Sequence, residues 1–230
     1  MRSVLVTGGT TRLGLAIAEH LRTLGCRVIT SSHRADSGAD IVADLSEPMG
    51  AARLYAQCLN LLGGFPPDAL VNNAALFTGD AAAMECVNLV SPQKLTMLMS
   101  GRETGRGSVV NILDCRVIGG ASAAEGVYER TKRGLLEYTR KSAAMFSETL
   151  RVNAVAPGPV LAPTGIREKA GETPLGRPSC EDVAAAVAFL LDAKATTGCV
   201  IPVDGGQECC CSSMNRMTCI DSSRDGLVSY

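Results

Sequence analysis

The sequence predicts an α/β fold, a doubly wound parallel sheet of the Rossmann type with helices on both faces. Three observations predict it. Short apolar runs alternate with stretches of helical periodicity through most of the chain. The runs are apolar throughout rather than alternating, as strands covered on both faces are. The first run also passes directly into a glycine-rich turn, Thr7-Gly8-Gly9-Thr10-Thr11-Arg12-Leu13-Gly14, ahead of a helical pattern.

Each element has its own signal. Val4–Thr7 is a buried strand, and Leu13, Ile17, Leu21 and Leu24 recur at helical spacing until Gly25 stops the helix. Arg27–Thr30, Ile41–Ala43 and Ala69–Val71 are further short strands. Ser46-Glu47-Pro48 has the form of an N-cap with an early proline, which predicts a helix from there to about Leu62. Between Arg34 and Asp40 there is room for one helical turn at most. Ser108–Leu113 is a strand, Val127–Phe146 a long helix, and Arg151–Ala156 a strand stopped by Pro157-Gly158. Ser179-Cys-Glu-Asp182 reads as a capping box opening a helix to about Leu191, and Cys199–Val203 closes the series. The connection from Pro159 to Arg177 is long, rich in proline and glycine, and has the character of a lid.

With 230 residues, 46% hydrophobic, and a net charge of -1, the chain suits one domain, residues 1–206, followed by a Ser- and Cys-rich tail at 207–230 expected to be poorly ordered. The near-neutral balance gives no electrostatic reason for a nucleic-acid or membrane partner. Met1–Thr7 is too short an apolar run for a signal peptide or membrane span, so a cytoplasmic protein is expected. Cys26, Cys58, Cys86, Cys115, Cys180 and Cys199 stand singly and His20 and His33 lie apart from them, a pattern without zinc spacing and consistent with small core residues. Cys209, Cys210, Cys211 and Cys219 fall in the tail.

Tyr128 and Lys132 lie a turn apart on one helix face. A phenol is a poor acid at neutral pH, with an ordinary pKa of about 10. A neighbouring ammonium favours the phenolate, which makes the pair a candidate proton donor for a reduction. The glycines after the first strand let backbone approach a pyrophosphate at a helix N-terminus. The second strand ends Thr30-Ser31-Ser32-His33-Arg34 with no acidic residue to bond a ribose 2′-hydroxyl. Ser32, His33 and Arg34 suit a 2′-phosphate instead, which favours NADPH.

The spacing Thr-Gly-x-x-x-x-Leu-Gly resembles the short-chain dehydrogenase/reductase family. Asn72-Asn73-Ala74-Ala75, Asn88, the Tyr128/Lys132 pair, Pro157-Gly158 and Val203-Asp204-Gly205-Gly206 continue that resemblance in order over residues 1–206. It implies cofactor contacts from Gly8, Thr10, Arg12, Leu13 and Gly14, from Ser32, His33 and Arg34, and from Asp44 and Leu45. It adds Asn72, Asn73, Ala74, Tyr128, Lys132, Pro157 and Gly158 to that set. It further implies that Asn88 holds a water linked to Lys132, and that the chain forms dimers or tetramers.

Three departures narrow the resemblance. Arg12 replaces a usual glycine. Asn111-Ile-Leu-Asp114 puts Asp where a catalytic Ser is common, with Cys115 the alternative by strict spacing to Tyr128. Phe77 follows Asn72 by five residues. Together they resemble the pteridine reductase branch, including dihydromonapterin and dihydrofolate reductases. The resemblance implies a pterin-like substrate touching Arg12, Phe77, Asp114 and Tyr128. Hydride would go to a ring C=N and the proton would come through a Tyr128–Asp114–Lys132 relay. Arg12 as a phosphate cap, Phe77 as ordinary packing and Asp114 as a structural partner of Lys132 are the plainer readings. The rival functions are a carbonyl reductase acting on ketones or 3-oxoacyl groups, and a cofactor-binding protein without chemistry, against which the retained Tyr128 and Lys132 argue.

Overall fold

β1 (Ser3–Thr7) shows why the chain forms two layers around a sheet. All five of its residues are buried, and the strand's period of two sends Val4 and Val6 to one face and Leu5 to the other. The same division recurs along Ala69/Val71 against Leu70, and Val110 against Val109. The computed structural model describes residues 1–103, 105–118, 126–161 and 173–207. The tail from residue 208, with its four cysteines, and most of the Pro159–Arg177 connection lie outside the described residues.

The elements run β1, α1 (Arg12–Thr23), β2 (Arg27–Ser32), β3 (Ile41–Val42), α2 (Gly50–Leu61), β4 (Ala69–Asn72), α3 (Ala81–Glu85), α4 (Ser91–Ser100), β5 (Gly107–Ile112), α5 (Val127–Met145), β6 (Leu150–Pro157), α6 (Cys180–Asp192) and β7 (Val200–Val203). All seven strands are parallel, in the order β3-β2-β1-β4-β5-β6-β7. The order reverses between β1 and β4, so the loops after these strands diverge and leave a crevice at their carboxyl ends. A single 3₁₀ turn, Ala35–Ser37, replaces a helix between β2 and β3, as the short spacing there predicts.

One face carries α1 and α6, packed through Ile17, Leu21, Val183, Val187 and Leu190, each fully or almost fully buried. Burying each such side chain contributes about 1.5–3 kcal/mol. The other face carries α2, α4 and part of α5 over Leu5, Ile29, Leu70, Val109 and Val152. Leu135 and Leu136 of α5 pack on Leu113, Val117, Ala154 and Ala156 and belong to the core. The predicted capping box is present: Asp182 N–H donates to Ser179 Oγ at 3.1 Å, and Ser179 N–H donates to Asp182 Oδ2 at 2.8 Å. Buried Arg151 closes the other end of α6, donating to the Leu190 and Leu191 carbonyls at 2.8 and 2.6 Å, and Arg2 pairs with Asp192 beside it. Among the described residues, no helix is long and apolar enough to cross a membrane.

One expectation about a helix needs correction. Ser46 does not cap α2. Asp44 Oδ1 accepts from both the Ser46 N–H and its hydroxyl, at 2.8 and 2.7 Å, and this local bond holds a turn that delays the helix to Gly50. Residues 81–100, for which no element is read from periodicity above, form α3 and α4 joined by a π-helical turn at Cys86–Val90. Asp80 starts that run by accepting from Ala83 N–H at 2.8 Å.

Candidate active site

A cavity of about 740 Å³ lies along the carboxyl ends of the central strands. The β1–α1 loop forms one wall. Asn73 laces that loop: its amide nitrogen donates to the carbonyls of Thr7 and Gly8 at 3.0 and 3.2 Å. Thr7 Oγ1 accepts in return from the N–H groups of Asn73 and Ala74, each at 3.0 Å. Gly14 packs so closely under the loop that a Cβ there would fall 2.0 Å from the Gly8 carbonyl oxygen. Arg12, at the first position of α1, has φ +51, a left-handed conformation that costs a non-glycine residue about 1–2 kcal/mol. Such strain is typical of sites where backbone placement serves a ligand.

Of the predicted cofactor residues, Gly8, Thr10, Arg12, Leu13, Gly14, Ser32, His33, Arg34, Asp44, Leu45, Asn73, Ala74, Tyr128, Lys132, Pro157 and Gly158 line this one cavity, as does Asp114. Pro157-Gly158 is held against the Val203–Asp204 segment, with Gly158 N–H donating to the Val203 carbonyl at 2.9 Å. Arg34 reaches back to Asp36, with Nε and Nη2 on its two carboxylate oxygens at 3.0 and 2.7 Å.

Three predicted residues do not line the cavity. Asn72 is 2% exposed, pairs across the sheet with Asn111 and donates to its Oδ1 at 2.8 Å, while Asn111 donates to Thr139. It sits between strands rather than at the cavity wall. Asn88, fully buried in the π-helical turn, accepts from the Leu76 N–H and donates to the Leu76 carbonyl, both at 2.8 Å, and to Thr131 Oγ1 at 3.1 Å. It therefore holds the backbone before Phe77 and the turn carrying Lys132. Phe77 stands half-exposed at the rim, its ring edge-on to Tyr128 with centroids 4.8 Å apart.

Asp114, and not Cys115, stands beside the tyrosine. Tyr128 Oη donates to Asp114 Oδ2 at 3.2 Å. Cys115 is buried with its Sγ 3.5 Å from Gln207 Oε1. Lys132 is buried beneath the pair and donates to the Ile112 carbonyl at 2.8 Å, with Nζ 5.8 Å from the Tyr128 ring centroid.

The electrostatics correct the expectation for the phenol. Burial, reinforced by the Asp114 carboxylate, pushes the Tyr128 pKa up rather than down. Burial also lowers Lys132 to about 8, against the opposing pull of Asp114. For Asp114 burial alone would raise the pKa, but hydrogen bonds and charge from Arg116 outweigh it and hold the carboxyl below its usual range. Asp114 is thus an ionised acceptor at neutral pH. It has no proton to carry, and the expected three-residue relay reduces to a phenol held protonated between a carboxylate and an ammonium.

Sequence reasoning missed Arg116 and Glu129. Arg116 clamps Asp114 from the 3₁₀ turn Cys115–Val117, its Nε and Nη2 3.0 and 2.9 Å from the two carboxylate oxygens. Its Nη1 lies 3.1 Å from Glu129 Oε1. The only signal in the chain is adjacency, since Arg116 follows Asp114 by two and Glu129 follows Tyr128 by one.

Residues 65–208 match the family model described as Enoyl-(Acyl carrier protein) reductase. The 3-oxoacyl-[acyl-carrier-protein] reductase FabG of Aquifex aeolicus is 33% identical, covering 88% of this chain and 95% of that protein. The rhamnolipids biosynthesis 3-oxoacyl-[acyl-carrier-protein] reductase of Pseudomonas aeruginosa is 30% identical, covering 89% of this chain and 95% of that one. Among solved structures, the NADP complex of FolM alternative dihydrofolate reductase 1 from Brucella canis superposes with a TM-score of 0.78 at 31% identity, over 90% of this chain and 94% of that one. With a parallel seven-stranded sheet, a laced glycine loop at its switch point and a Tyr/Lys pair on α5 facing the same cavity, this chain belongs to the short-chain dehydrogenase/reductase family of oxidoreductases.

Proposed function

We propose that the protein is an NADPH-dependent reductase of a C=N bond in a pterin-like ring, of the dihydromonapterin, dihydrobiopterin or dihydrofolate type. The observation that carries this reading is the ionised Asp114 at hydrogen-bond distance from Tyr128. Reducing a ketone builds negative charge on oxygen, and a carboxylate beside that oxygen opposes it. An imine nitrogen is a better proton acceptor than a ketone oxygen, so the match with a phenol of raised pKa is closer. A pterin ring also presents N–H groups that a carboxylate accepts. The structural likeness to an alternative dihydrofolate reductase supports the same choice.

The residues present fit NADPH. The glycine loop lets a pyrophosphate approach the N-terminus of α1, where the helix dipole favours negative charge. Ser32, His33 and Arg34 stand where a 2′-phosphate would be met, and the cavity's volume is in the range of cofactor sites. Bound there, NADPH supplies the hydride. As hydride reaches carbon and the π pair of the C=N bond moves onto nitrogen, that nitrogen takes the Tyr128 proton, so little negative charge builds beside Asp114. Lys132 stabilises the phenolate that remains and would hold the nicotinamide ribose of the bound cofactor, and Asp114 orients the hydroxyl and the ring. Asn88 holds the turn carrying Lys132, and Arg12 and Phe77 border the substrate. Met97, Leu98 and Met145 are exposed on α4 and α5, the surface through which we expect the chain to dimerise or form tetramers.

The relatives named as 3-oxoacyl reductases favour ketone reduction as the second reading. Following NADPH absorbance with a panel of dihydropterins and 3-oxoacyl thioesters separates the two. Consumption with a dihydropterin, lost by about 10-fold or more in Asp114→Ser as a charge-assisted hydrogen bond is removed, is expected. Turnover of the thioesters alone, retained in Asp114→Ser, removes the pterin reading.

A further inference from the structure

We propose that Arg116, braced by Glu129, is the positioning residue that presents Asp114 to Tyr128 as a fixed carboxylate. The inference rests on the Tyr128–Asp114 chemistry of the preceding subsection. The geometry is a closed fork. Arg116 donates from Nε to Asp114 Oδ1 at 3.0 Å and from Nη2 to Oδ2 at 2.9 Å, and its backbone N–H adds a third bond to Oδ1 at 3.0 Å. These three donors fix both carboxylate oxygens and leave Oδ2 in reach of the Tyr128 hydroxyl at 3.2 Å. Only a planar guanidinium matches both oxygens of a carboxylate in this way, and a lysine does not.

The clamp is itself held. Glu129, next to Tyr128 on α5, accepts from Arg116 Nη1 at 3.1 Å. The guanidinium carbon lies 5.4 Å from the Tyr128 ring centroid and 5.6 Å from that of Phe77, within cation–π range of both. Arg116 thus ties the rim aromatic, the proton donor and the carboxylate into one unit. The charged and titratable groups facing Asp114 are Arg116 from the 3₁₀ turn, and Tyr128, Glu129 and Lys132 from α5. Of these two cations among the described residues, only Arg116 is hydrogen-bonded to the carboxylate. Without it, burial of Asp114 is opposed by Lys132 alone, and the carboxyl takes up a proton at a higher pH.

The test is a carbon-13 NMR titration of the aspartate carboxyls in the full chain, with Asp114 assigned by the signal that Asp114→Asn removes. NADPH binding by each variant serves as the check on folding. In Arg116→Leu the Asp114 titration is expected to move up by about one pH unit or more. Arg116→Lys should move it less, and Glu129→Gln least. With a dihydropterin as substrate, the acid limb of kcat/KM should move in the same direction while KM for NADPH holds. An Asp114 titration unmoved in a folded Arg116→Leu protein overturns the proposal. Should Arg116→Leu fail to bind NADPH, an unmoved titration in Arg116→Lys overturns it equally. A shifted titration with no pterin turnover in any variant upholds the positioning role and removes the pterin reading alone.

Discussion

Lys132 costs the fold stability that the site requires, and Lys132→Met should expose that cost. The side chain is 2% exposed and makes one hydrogen bond, to the Ile112 carbonyl. A fall in pKa from 10.5 to about 8, at about 1.4 kcal/mol per pH unit, means a charged Lys132 opposes folding by roughly 3 kcal/mol at pH 7. Methionine removes that cost but leaves the Ile112 carbonyl without its donor, a loss of about 1–3 kcal/mol. The variant should therefore be about as stable as the natural protein at pH 7, or more stable by up to about 2 kcal/mol, while losing activity. The pH dependence is the sharper reading. Above pH 8 the native state releases the lysine proton, whereas the unfolded chain keeps it until 10.5. The unfolded state then binds more protons, so stability rises with pH. Urea unfolding of both proteins from pH 7 to 10, without cofactor, should give a stability difference that is flat below pH 8. It should then shift by roughly 2–3 kcal/mol in favour of the natural chain by pH 10. Above pH 10 tyrosines of the unfolded chain ionise, and the raised Tyr128 pKa brings the opposite trend into both proteins. A difference that stays flat from pH 7 to 10 would refute the reasoning, and would mean that Asp114 compensates the buried ammonium fully.

Two further outcomes are expected elsewhere in the chain. Arg34→Ala should raise KM for NADPH by roughly 10–100-fold with little change for NADH, the loss of one charge-assisted bond to a phosphate, read from initial rates with each cofactor. Its exposed pairing with Asp36 is too weak to compete strongly with that phosphate, so Asp36→Asn should change KM far less. Arg151→Met should lower unfolding stability by about 1–3 kcal/mol in urea titration, because the carbonyls of Leu190 and Leu191 and the Ser108 hydroxyl lose their buried donor.

The parts of the fold that sequence makes legible are those set by local pattern. Continuous apolar runs mark the buried strands because each residue of β1 and β5 faces helices on one side or the other. Ser179 and Asp182 announce α6 because a capping box is closed within four residues. Ser46 misleads for the same reason in reverse. A serine before an early proline has the look of a cap, but Asp44 two residues back takes its hydroxyl, and no spacing rule ranks the two bonds. Residues 81–100 are obscure because a π-helical turn shifts the helical period at its middle, so the apolar positions of α3 and α4 do not form one stripe.

The site divides along a similar line. Motif order places Tyr128, Lys132, the glycine loop and Asp114 around one cavity, because family-like spacing encodes which loops meet at the switch point. Protonation is not encoded that way. From spacing alone an Asp beside a Tyr/Lys pair reads as a link in a proton relay. What decides otherwise is a guanidinium two residues further on, turned back by a 3₁₀ turn, with a glutamate from α5 holding its other end. Those bonds span thirteen residues and a segment that is partly outside the described structure, and nothing in composition or periodicity joins their ends. The consequence is chemical. With Asp114 held as an anion and the Lys132 ammonium bonded to the Ile112 carbonyl, we read the Tyr128 hydroxyl as the group that gives the proton. A substrate that succeeds here must accept that proton next to a negative charge. On the function we propose, that requirement favours a basic ring nitrogen over a carbonyl oxygen.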